Sequence, residues 1–343
     1  VILHDGFVSK RNPPRNFNPA DAALFAHELE RAIAPMELVE LTNIRANAEG
    51  RLFRNGRVLR ESFAVEEMFK VFRASKRNRL AFLVKNYLLR RRRELSGHYL
   101  WITDDWSDGY FHWLADALPR LFAVRDLAAT TPLLIPSKCE HFEFVRASLR
   151  LFDLAGVEYV QADEVCVIDP LVLPTHAAPS GSFNDALMRR LRDFILDAYN
   201  VDRDRAPHRR IYISRSNAPR RKIANEEEVI NVLHNFDFEV IRFEDHPFEE
   251  QVRIAAETKY LVSNHGAGLT NMLFMPEGGR VLELRKEAER IRNCFFILAT
   301  TARLDYFYQC CPQERAEDGA HAADVVVDTK SLGENLGLIR PAR

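Results

Sequence analysis

Ser263-Asn264-His265-Gly266-Ala267-Gly268-Leu269-Thr270-Asn271 is the stretch on which the reading of the fold turns. A short apolar run, Tyr260-Leu261-Val262, precedes it and has the character of a buried strand. The residues from Leu269 to Met275 follow, stopped by Pro276-Glu277-Gly278-Gly279, as a short helix would be. A histidine and two glycines therefore sit where a strand ends and a helix begins. In an open α/β sheet, ligands bind just beyond the carboxyl ends of strands. A helix N-terminus at that place offers N–H groups and the positive end of a dipole, which suits phosphate. Glycines let an anion approach the backbone closely. His-Gly-x-Gly also occurs in plain tight turns, so the rest of the chain must decide between the two.

The surrounding segments alternate in the same way. Strands are expected at about 210–214, 238–243, 259–264, 279–284, 304–310 and 324–328, and helices at about 225–236, 247–257, 268–274 and 289–302, with a last helix over 332–339. That is a doubly wound α/β unit. Its first strand runs into Ser214-Arg215-Ser216-Asn217-Ala218-Pro219-Arg220-Arg221-Lys222, which places four cations just beyond a strand. Guanidinium forks match phosphate oxygens in a bidentate way. Asn225 stands where the next helix needs an N-cap, with Glu228 at the capping-box position. Two strand ends of one sheet edge thus offer phosphate ligands of different kinds, and the anion reading gains on the turn. Glu283, in the apolar strand Arg280-Val281-Leu282-Glu283-Leu284, is an acid that needs a partner, either a sugar hydroxyl or an arginine.

The first half alternates less regularly. Residues 1–60 read as a β-rich N-terminal extension, in which Asn55-Gly56 marks a tight hairpin. Residues 61–97 have helical patterning with two basic runs, Lys76-Arg77-Asn78-Arg79 and Arg90-Arg91-Arg92-Arg93. A solvated helix face accounts for such runs; peripheral contact with an anionic membrane, through Arg90 to Arg93, is the functional alternative. A strand over 98–102 leads through the loop Thr103-Asp104-Asp105-Trp106-Ser107-Asp108-Gly109 into the helix Tyr110-Phe111-His112-Trp113-Leu114-Ala115-Asp116-Ala117-Leu118-Pro119-Arg120-Leu121-Phe122. His112 and Asp116 lie four apart and share a face. They either line a cleft or cap the first turn at the surface. Strands near 132–136 and 157–160, a helix over 141–154, β signals to 173 and a long helix over 184–199 complete an α/β domain with a largely parallel sheet. The charged run from Asn200 to His208 breaks the pattern. The expected organisation is therefore an extension (1–60), a Rossmann-like domain (61–200), a linker (201–208) and a second Rossmann-like domain (209–343), the two domains facing each other across a cleft. Asp202-Arg203-Asp204 has the Asp-x-Asp form of a metal site but falls in the linker rather than at a strand end.

Composition excludes several classes. The 343 residues suggest about two domains, and 47% hydrophobic with 28% charged residues is ordinary for a globular chain. A formal net charge of -1 gives no global field for nucleic acid. Five cysteines, Cys139, Cys166, Cys294, Cys310 and Cys311, have irregular spacing and no C-x-x-C, which argues against zinc or a disulfide framework and for a reducing compartment. No apolar run approaches the length of a membrane span.

Taken together, the run from Phe111 to Leu121, the run from Tyr212 to Arg215 with Arg220-Arg221 and Asn225-Glu226, and His265-Gly266-Ala267-Gly268-Leu269-Thr270-Asn271 with Met275-Pro276 and Val281-Leu282-Glu283-Leu284 resemble glycosyltransferase family 61 over roughly residues 95–330. The resemblance implies a GT-B-type fold of two Rossmann-like domains and inverting transfer of a sugar from a nucleotide-sugar donor, UDP-linked as the first candidate, to a glycan acceptor. It also implies no cofactor and no metal. On this resemblance Arg215 and Arg221, with Arg220, hold the diphosphate together with the N–H groups of Gly266, Ala267 and Gly268, and His265 donates to the same oxygens. Asn225, Asn271 and Glu283 complete the donor-binding set. Inversion needs a base for the acceptor hydroxyl, and Asp116 is the first choice, His112 the second and Asp105 an outside candidate. Bacterial surface or capsular polysaccharide synthesis by a cytoplasmic enzyme is the expected setting, with the inner face of the membrane as the alternative location.

Three alternatives are weaker. A dinucleotide enzyme would carry Gly-x-Gly-x-x-Gly after a strand, and none is present. A nucleic-acid binder is disfavoured by the near-neutral charge. A non-catalytic nucleotide-sugar or carbohydrate-binding protein of the same fold would bind donor without turnover.

Overall fold

The computed structural model describes residues 1–287, 293–315 and 323–340. The chain divides into two compact units, one made of Val1–Phe7 and Ile33–Ser180, the other of Val8–Ala32 and Gly181–Arg343.

The first unit is built on one mixed sheet. Its strands are β1 (Ile2–His4), β2 (Met36–Leu41), β3 (Ile44–Asn47), β4 (Leu52–Arg54), β5 (Arg57–Val58), β6 (Arg91–Leu100), β7 (Leu133–Pro136), β8 (Val157–Val160) and β9 (Glu164–Pro174). They run in the order β8-β7-β6-β9-β3-β4-β5, with β2 pairing both β1 and β9. The long strand β9 joins a parallel half to an antiparallel one. It lies parallel to β6. On its other side its first half pairs antiparallel with β3 and its last four residues with β2. Pro170 stands between the two halves, has no N–H to give the ladder, and the register against β6 shifts there. The expected parallel sheet is therefore only half of this unit's sheet. Asn55 and Gly56, both at positive φ, make the β4–β5 hairpin turn that their sequence predicts. Trp101, Leu134, Cys166, Ile168 and Leu171 fill the core beneath.

Helical patterning over 61–97 is realised as Glu66–Ala74 and Lys76–Val84, but Arg91, Arg92 and Arg93 open strand β6. Each arginine of that run meets a carboxylate: Arg90 pairs with Glu49, Arg91 with Glu164, Arg92 with Glu94, and Arg93 with Glu158 and Glu164. Their charge is spent inside the unit, so they form no free basic face.

The second unit holds five parallel strands, β10 (Arg209–Ile213), β11 (Glu239–Ile241), β12 (Thr258–Asn264), β13 (Arg280–Lys286) and β14 (Asp305–Cys311). Their order is β11-β10-β12-β13-β14. The first strand is flanked by the second and third, the doubly wound order whose switch point lies between β10 and β12. Helices Glu226–His234 and Thr329–Ile339 pack on Tyr212, Tyr260, Val262, Leu282, Leu284 and Phe307. The alternate residues, Val281, Glu283, Tyr306 and Tyr308, point to the opposite face. A strand expected at 324–328 is only a bridge at Val325, paired with Ile223 and Gln313. The helix expected over 289–302 is Cys294–Thr301; residues 289–292 lie outside the described residues.

Two segments fall in a different unit from the one their sequence suggests. Helix Asp185–Ala198, expected at the end of the first domain, belongs to the second: Asp185 accepts from Thr301 at 2.6 Å and Arg189 donates to the Thr301 carbonyl at 3.1 Å. The division falls at Ser180/Gly181 rather than at 201–208. Residues 8–32 also belong to the second unit. Phe25 is fully buried and packs edge-on against Phe296, Tyr306 and Tyr308. The Asn16 amide brackets Tyr308, accepting from its N–H and donating to its carbonyl, so it satisfies the edge of β14 as a further strand would. Replacing Phe25 by alanine should cost about 3–5 kcal/mol, read as a fall in the urea midpoint of the second unit's transition; an unchanged midpoint would show that the segment is a passive strap.

Candidate active site

Because β10 and β12 are neighbours, the residues that follow them emerge side by side. Ser263 Oγ donates to the Ile213 carbonyl at 3.0 Å, tying the two strand ends together. The Arg215 guanidinium then lies directly against Gly266. A Cβ on that glycine would stand 2.2 Å from Arg215 Nη1. Gly266 has extended backbone, so the absence of a side chain serves close approach, not an unusual φ. Arg215 donates to the Arg221 and Arg220 carbonyls at 3.3 and 3.4 Å, and it makes no ion pair among those of the described residues. Burial lowers its pKa from the usual arginine value, and the charge of Glu244 offsets part of that. The Arg220 side chain is exposed. Arg221 takes the left-handed conformation, φ 57°, and its carbonyl accepts from Asn264 Nδ2 at 2.6 Å. That bond shapes the loop beneath Arg215. Ala267–Phe274 is a 3-10 helix whose first N–H groups, at Ala267 and Gly268, have no partner within the helix.

His265 is fixed from below. Its Nδ1 donates to Glu283 at 2.5 Å, and Tyr306 donates to the other carboxylate oxygen at 2.5 Å. Glu283 is fully buried. Burial pushes its carboxyl up, but His265, Arg285 and Tyr306 outweigh this and hold it below the usual carboxylate range. Glu283 thus orients His265 instead of reaching a ligand itself. With Nδ1 engaged, Nε2 is the atom His265 can present.

Two expected donor ligands have other work. Asn225 makes no capping bond with its side chain. It clips Val327, accepting from its N–H at 3.0 Å and donating to its carbonyl at 2.9 Å, because helix 226–234 has to be pinned to the returning chain. Asn271 is fully buried and donates to Gln251 and to the Gly268 carbonyl. It steadies the glycine turn from inside.

The first unit holds the second cluster. His112 and Asp116 lie on a continuous helix whose middle, Trp113–Ala117, widens into a π turn, a distortion frequent at functional sites. His112 Nδ1 donates to Asp116 at 2.8 Å, and Ser180 Oγ donates to the same carboxylate oxygen at 2.8 Å. The Asp116 side chain is 2% exposed and that of His112 23%. Burial lowers the His112 pKa, the Asp116 bond and the charges of Asp104 and Asp105 raise it, and the net shift is upward. Asp105 itself is held by Arg51 at 3.2 Å and by the Ala64 N–H, so it closes a loop and is not poised for proton transfer.

Three neighbours carry no local sequence signal. Buried Asp104 accepts from His176 at 2.8 Å. Burial would raise its pKa, yet the His176 bond and the Arg120 charge hold it below the usual range. Ser180 and His176 come from the segment after β9, more than 60 residues downstream of their partners. Arg120 is the exception: it continues the one-face series His112, Asp116, Arg120 and could have been read from spacing. It is wholly buried, with Nε donating to the Pro174 carbonyl at 2.8 Å. Nη1 and Nη2 make no hydrogen bond among the described residues. Burial lowers its pKa to about 10 against the charges of Asp104 and Asp116. No group of three His, Cys, Asp or Glu side chains among the described residues converges as a metal site would require. Asp202 and Asp204 form only a local turn, with the Asp204 N–H donating to Asp202.

Comparison with known proteins fits this arrangement. A family model described as Glycosyltransferase 61 matches residues 110–282, just over half of the chain. The EGF domain-specific O-linked N-acetylglucosamine transferase of Drosophila melanogaster is 31% identical over 156 residues, 41% of this chain and 29% of the relative. The mouse protein of that name is 31% identical over 135 residues, 37% of this chain and 25% of its own length. A bovine protein O-linked-mannose beta-1,4-N-acetylglucosaminyltransferase 2 is 35% identical over 101 residues, 28% of this chain and 17% of that protein. The chain thus covers less than a third of each of these relatives. His112, Asp116, Arg215 and His265 all lie within the matched region, and the resemblance read from the motifs holds: the chain belongs to the glycosyltransferase 61 family.

Proposed function

We propose that the protein transfers a sugar, with inversion, from a nucleoside-diphosphate sugar to a glycan hydroxyl without a metal. The GT-B architecture belongs to this proposal. The observation that carries it is the half-buried Arg215 guanidinium lying against Gly266 at the switch point of a doubly wound sheet, with no ion-pair partner among the described residues. A charge held in that way suits a diphosphate. Arg215, the N–H groups of Ala267 and Gly268, and Nε2 of His265 would take up the negative charge that grows on the leaving group. Arg221 and Arg220 extend the positive field on the loop. The relatives are named as N-acetylglucosamine transferases, so UDP-N-acetylglucosamine is the first donor to test.

For the base, the geometry favours His112 over Asp116. The Asp116 carboxylate is nearly covered and already accepts from His112 and Ser180, whereas His112 presents its ring to solvent. An acid that fixes the ring through Nδ1 leaves Nε2 to accept the proton of an acceptor hydroxyl. Asp116 is then the residue that orients and tunes the base. A binding protein without turnover would keep Arg215 and have no need of this dyad.

Arg215→Ala should weaken donor binding about tenfold to a hundredfold, the worth of a charge-assisted hydrogen bond, measured by calorimetry with the nucleoside diphosphate. Gly266→Ala should weaken it in the same assay with little change in melting temperature, because the new methyl displaces only the end of a flexible arginine. If it melts early and binds normally, the glycine serves folding.

His112→Ala should lower kcat about 10²- to 10⁴-fold. In the wild type kcat should rise through a pKa above the ordinary histidine value of about 6.5, since the base works unprotonated and Asp116 holds its proton more tightly. Asp116→Asn removes that hold, so the limb should move to lower pH while kcat falls. A His112→Ala enzyme with normal kcat would return the base role to Asp116.

A further inference from the structure

The two short helices 66–74 and 76–84 and the turn Lys85–Leu89 that follows them expose more apolar surface than any other part of the first unit. Neither helix contains a buried residue. Their inner side is anchored by Phe69, Phe72 and Phe82, which meet Phe63 and Phe53 edge-on or tilted at 4.9–5.6 Å, Phe72 and Phe82 also meeting each other at 5.7 Å. That contact uses the apolar side chains the fold needs. Met68, Val71, Leu80 and Val84 are left in solvent, and beyond them Leu88 and Leu89 are 77% and 75% exposed. Leu80 and Val84 are one turn apart and lie on the side of their helix away from Phe82.

From Met68 to Val84 the charges have one sign; Glu66 and Glu67 open the first helix just before them, and Lys85 is paired with Glu49. Lys70, Arg73, Lys76, Arg77 and Arg79 lie among these side chains, no Asp or Glu occurs from Met68 to Val84, and none of the five makes an ion pair among those of the described residues. The contrast with Arg90 to Arg93 is direct, since those arginines all meet carboxylates. A contiguous apolar patch on a soluble surface marks an interaction site. Cations that ring projecting leucines fit a surface with anionic headgroups above an acyl layer. A polyanion without an apolar layer, such as a nucleic acid, would leave Leu88 and Leu89 without a role.

We propose that this helical pair and its leucine turn form a peripheral docking site for an anionic phospholipid bilayer. Leu88, Leu89 and Leu80 enter the headgroup boundary, and Lys76, Arg77 and Arg79 meet the phosphates. Among the described residues no helix is long and apolar enough to cross a membrane, so the contact is one of lying on the surface. The site shares no residue with the donor clamp or the His112 dyad, and it stands whether or not the proposed chemistry does.

The test is co-sedimentation of the full chain with phosphatidylcholine vesicles and with vesicles that also contain phosphatidylglycerol. Binding should occur with the anionic vesicles, be weak with the zwitterionic ones, and fall as salt rises. Arg77→Gln with Arg79→Gln should weaken it about thirtyfold, since each cation near such a surface is worth about 1 kcal/mol. Leu88→Ser with Leu89→Ser should weaken it about tenfold or more. Both pairs are surface changes and should leave the melting temperature and transfer to a soluble acceptor unchanged. Absence of binding to anionic vesicles overturns the proposal, and so does binding that neither pair weakens. A dimer in sedimentation equilibrium that Leu88→Ser with Leu89→Ser dissolves, without vesicle binding, would assign the patch to a second copy of the chain. Salt-sensitive binding to RNA that the arginine pair removes and the leucine pair spares would assign it to a polyanion.

Discussion

The proposed donor site depends on one close approach, that of a guanidinium to a residue with no side chain. Arg215 can lie over Gly266 only because β10 and β12 are adjacent in the sheet and because position 266 carries no Cβ. The doubly wound order brings the two strand ends together, and the glycine lets the charge sit on the backbone instead of projecting into water. A half-buried arginine so placed has lost part of its hydration and gained only long bonds to two carbonyls. An arriving diphosphate would meet a cation that needs little further desolvation, and preorganisation of this kind favours binding a growing negative charge.

The same physical device appears three times, twice in the first unit and once in the second. His112 with Asp116, His176 with Asp104, and His265 with Glu283 each set a partly exposed imidazole on a carboxylate that is almost wholly covered. Covering a carboxylate is expensive unless its lone pairs are filled, and each acid has a second donor: Ser180, Ser107 and Tyr306 respectively. What the protein gains is direction. A carboxylate that is itself immobile fixes which ring nitrogen carries a proton and where the other one points.

Much of this was legible in the sequence, for identifiable reasons. The five parallel strands and the two loops that meet beyond β10 and β12 announced themselves because apolar runs, glycines and cations all fall within a few residues of one another. His112 and Asp116 were legible because a helix brings residues four apart together. What stayed hidden is what the chain assembles over long separations. His176 and Ser180 reach their partners across more than 60 residues, and Phe25 finds its aromatic cage some 270 residues on. Asn225 does stand at the N-cap read from the sequence, but its side chain clips Val327, about 100 residues away, instead of accepting from a first-turn N–H. Basic runs misled for a related reason: a run of arginines looks alike whether its carboxylates are absent, as around Lys76 to Arg79, or supplied by distant strands, as for Arg90 to Arg93.

Arg120 binds these threads together. A buried guanidinium with two nitrogens left without hydrogen-bond partners among the described residues should be costly, and no packing argument requires a cation there. Its charge is offset by Asp104 and Asp116, which belong to two different histidine pairs, and its Nε donates to the Pro174 carbonyl at the end of β9. From that point the chain runs on to His176 and Ser180, which seal those same two acids. Arg120 therefore meets the helix that carries the proposed base and the segment that covers it at a single place. One cation is thus set against both acids at once. The arginine is best understood as a counter-charge shared by the two acids beneath their histidines, at a cost in stability borne for the sake of the site.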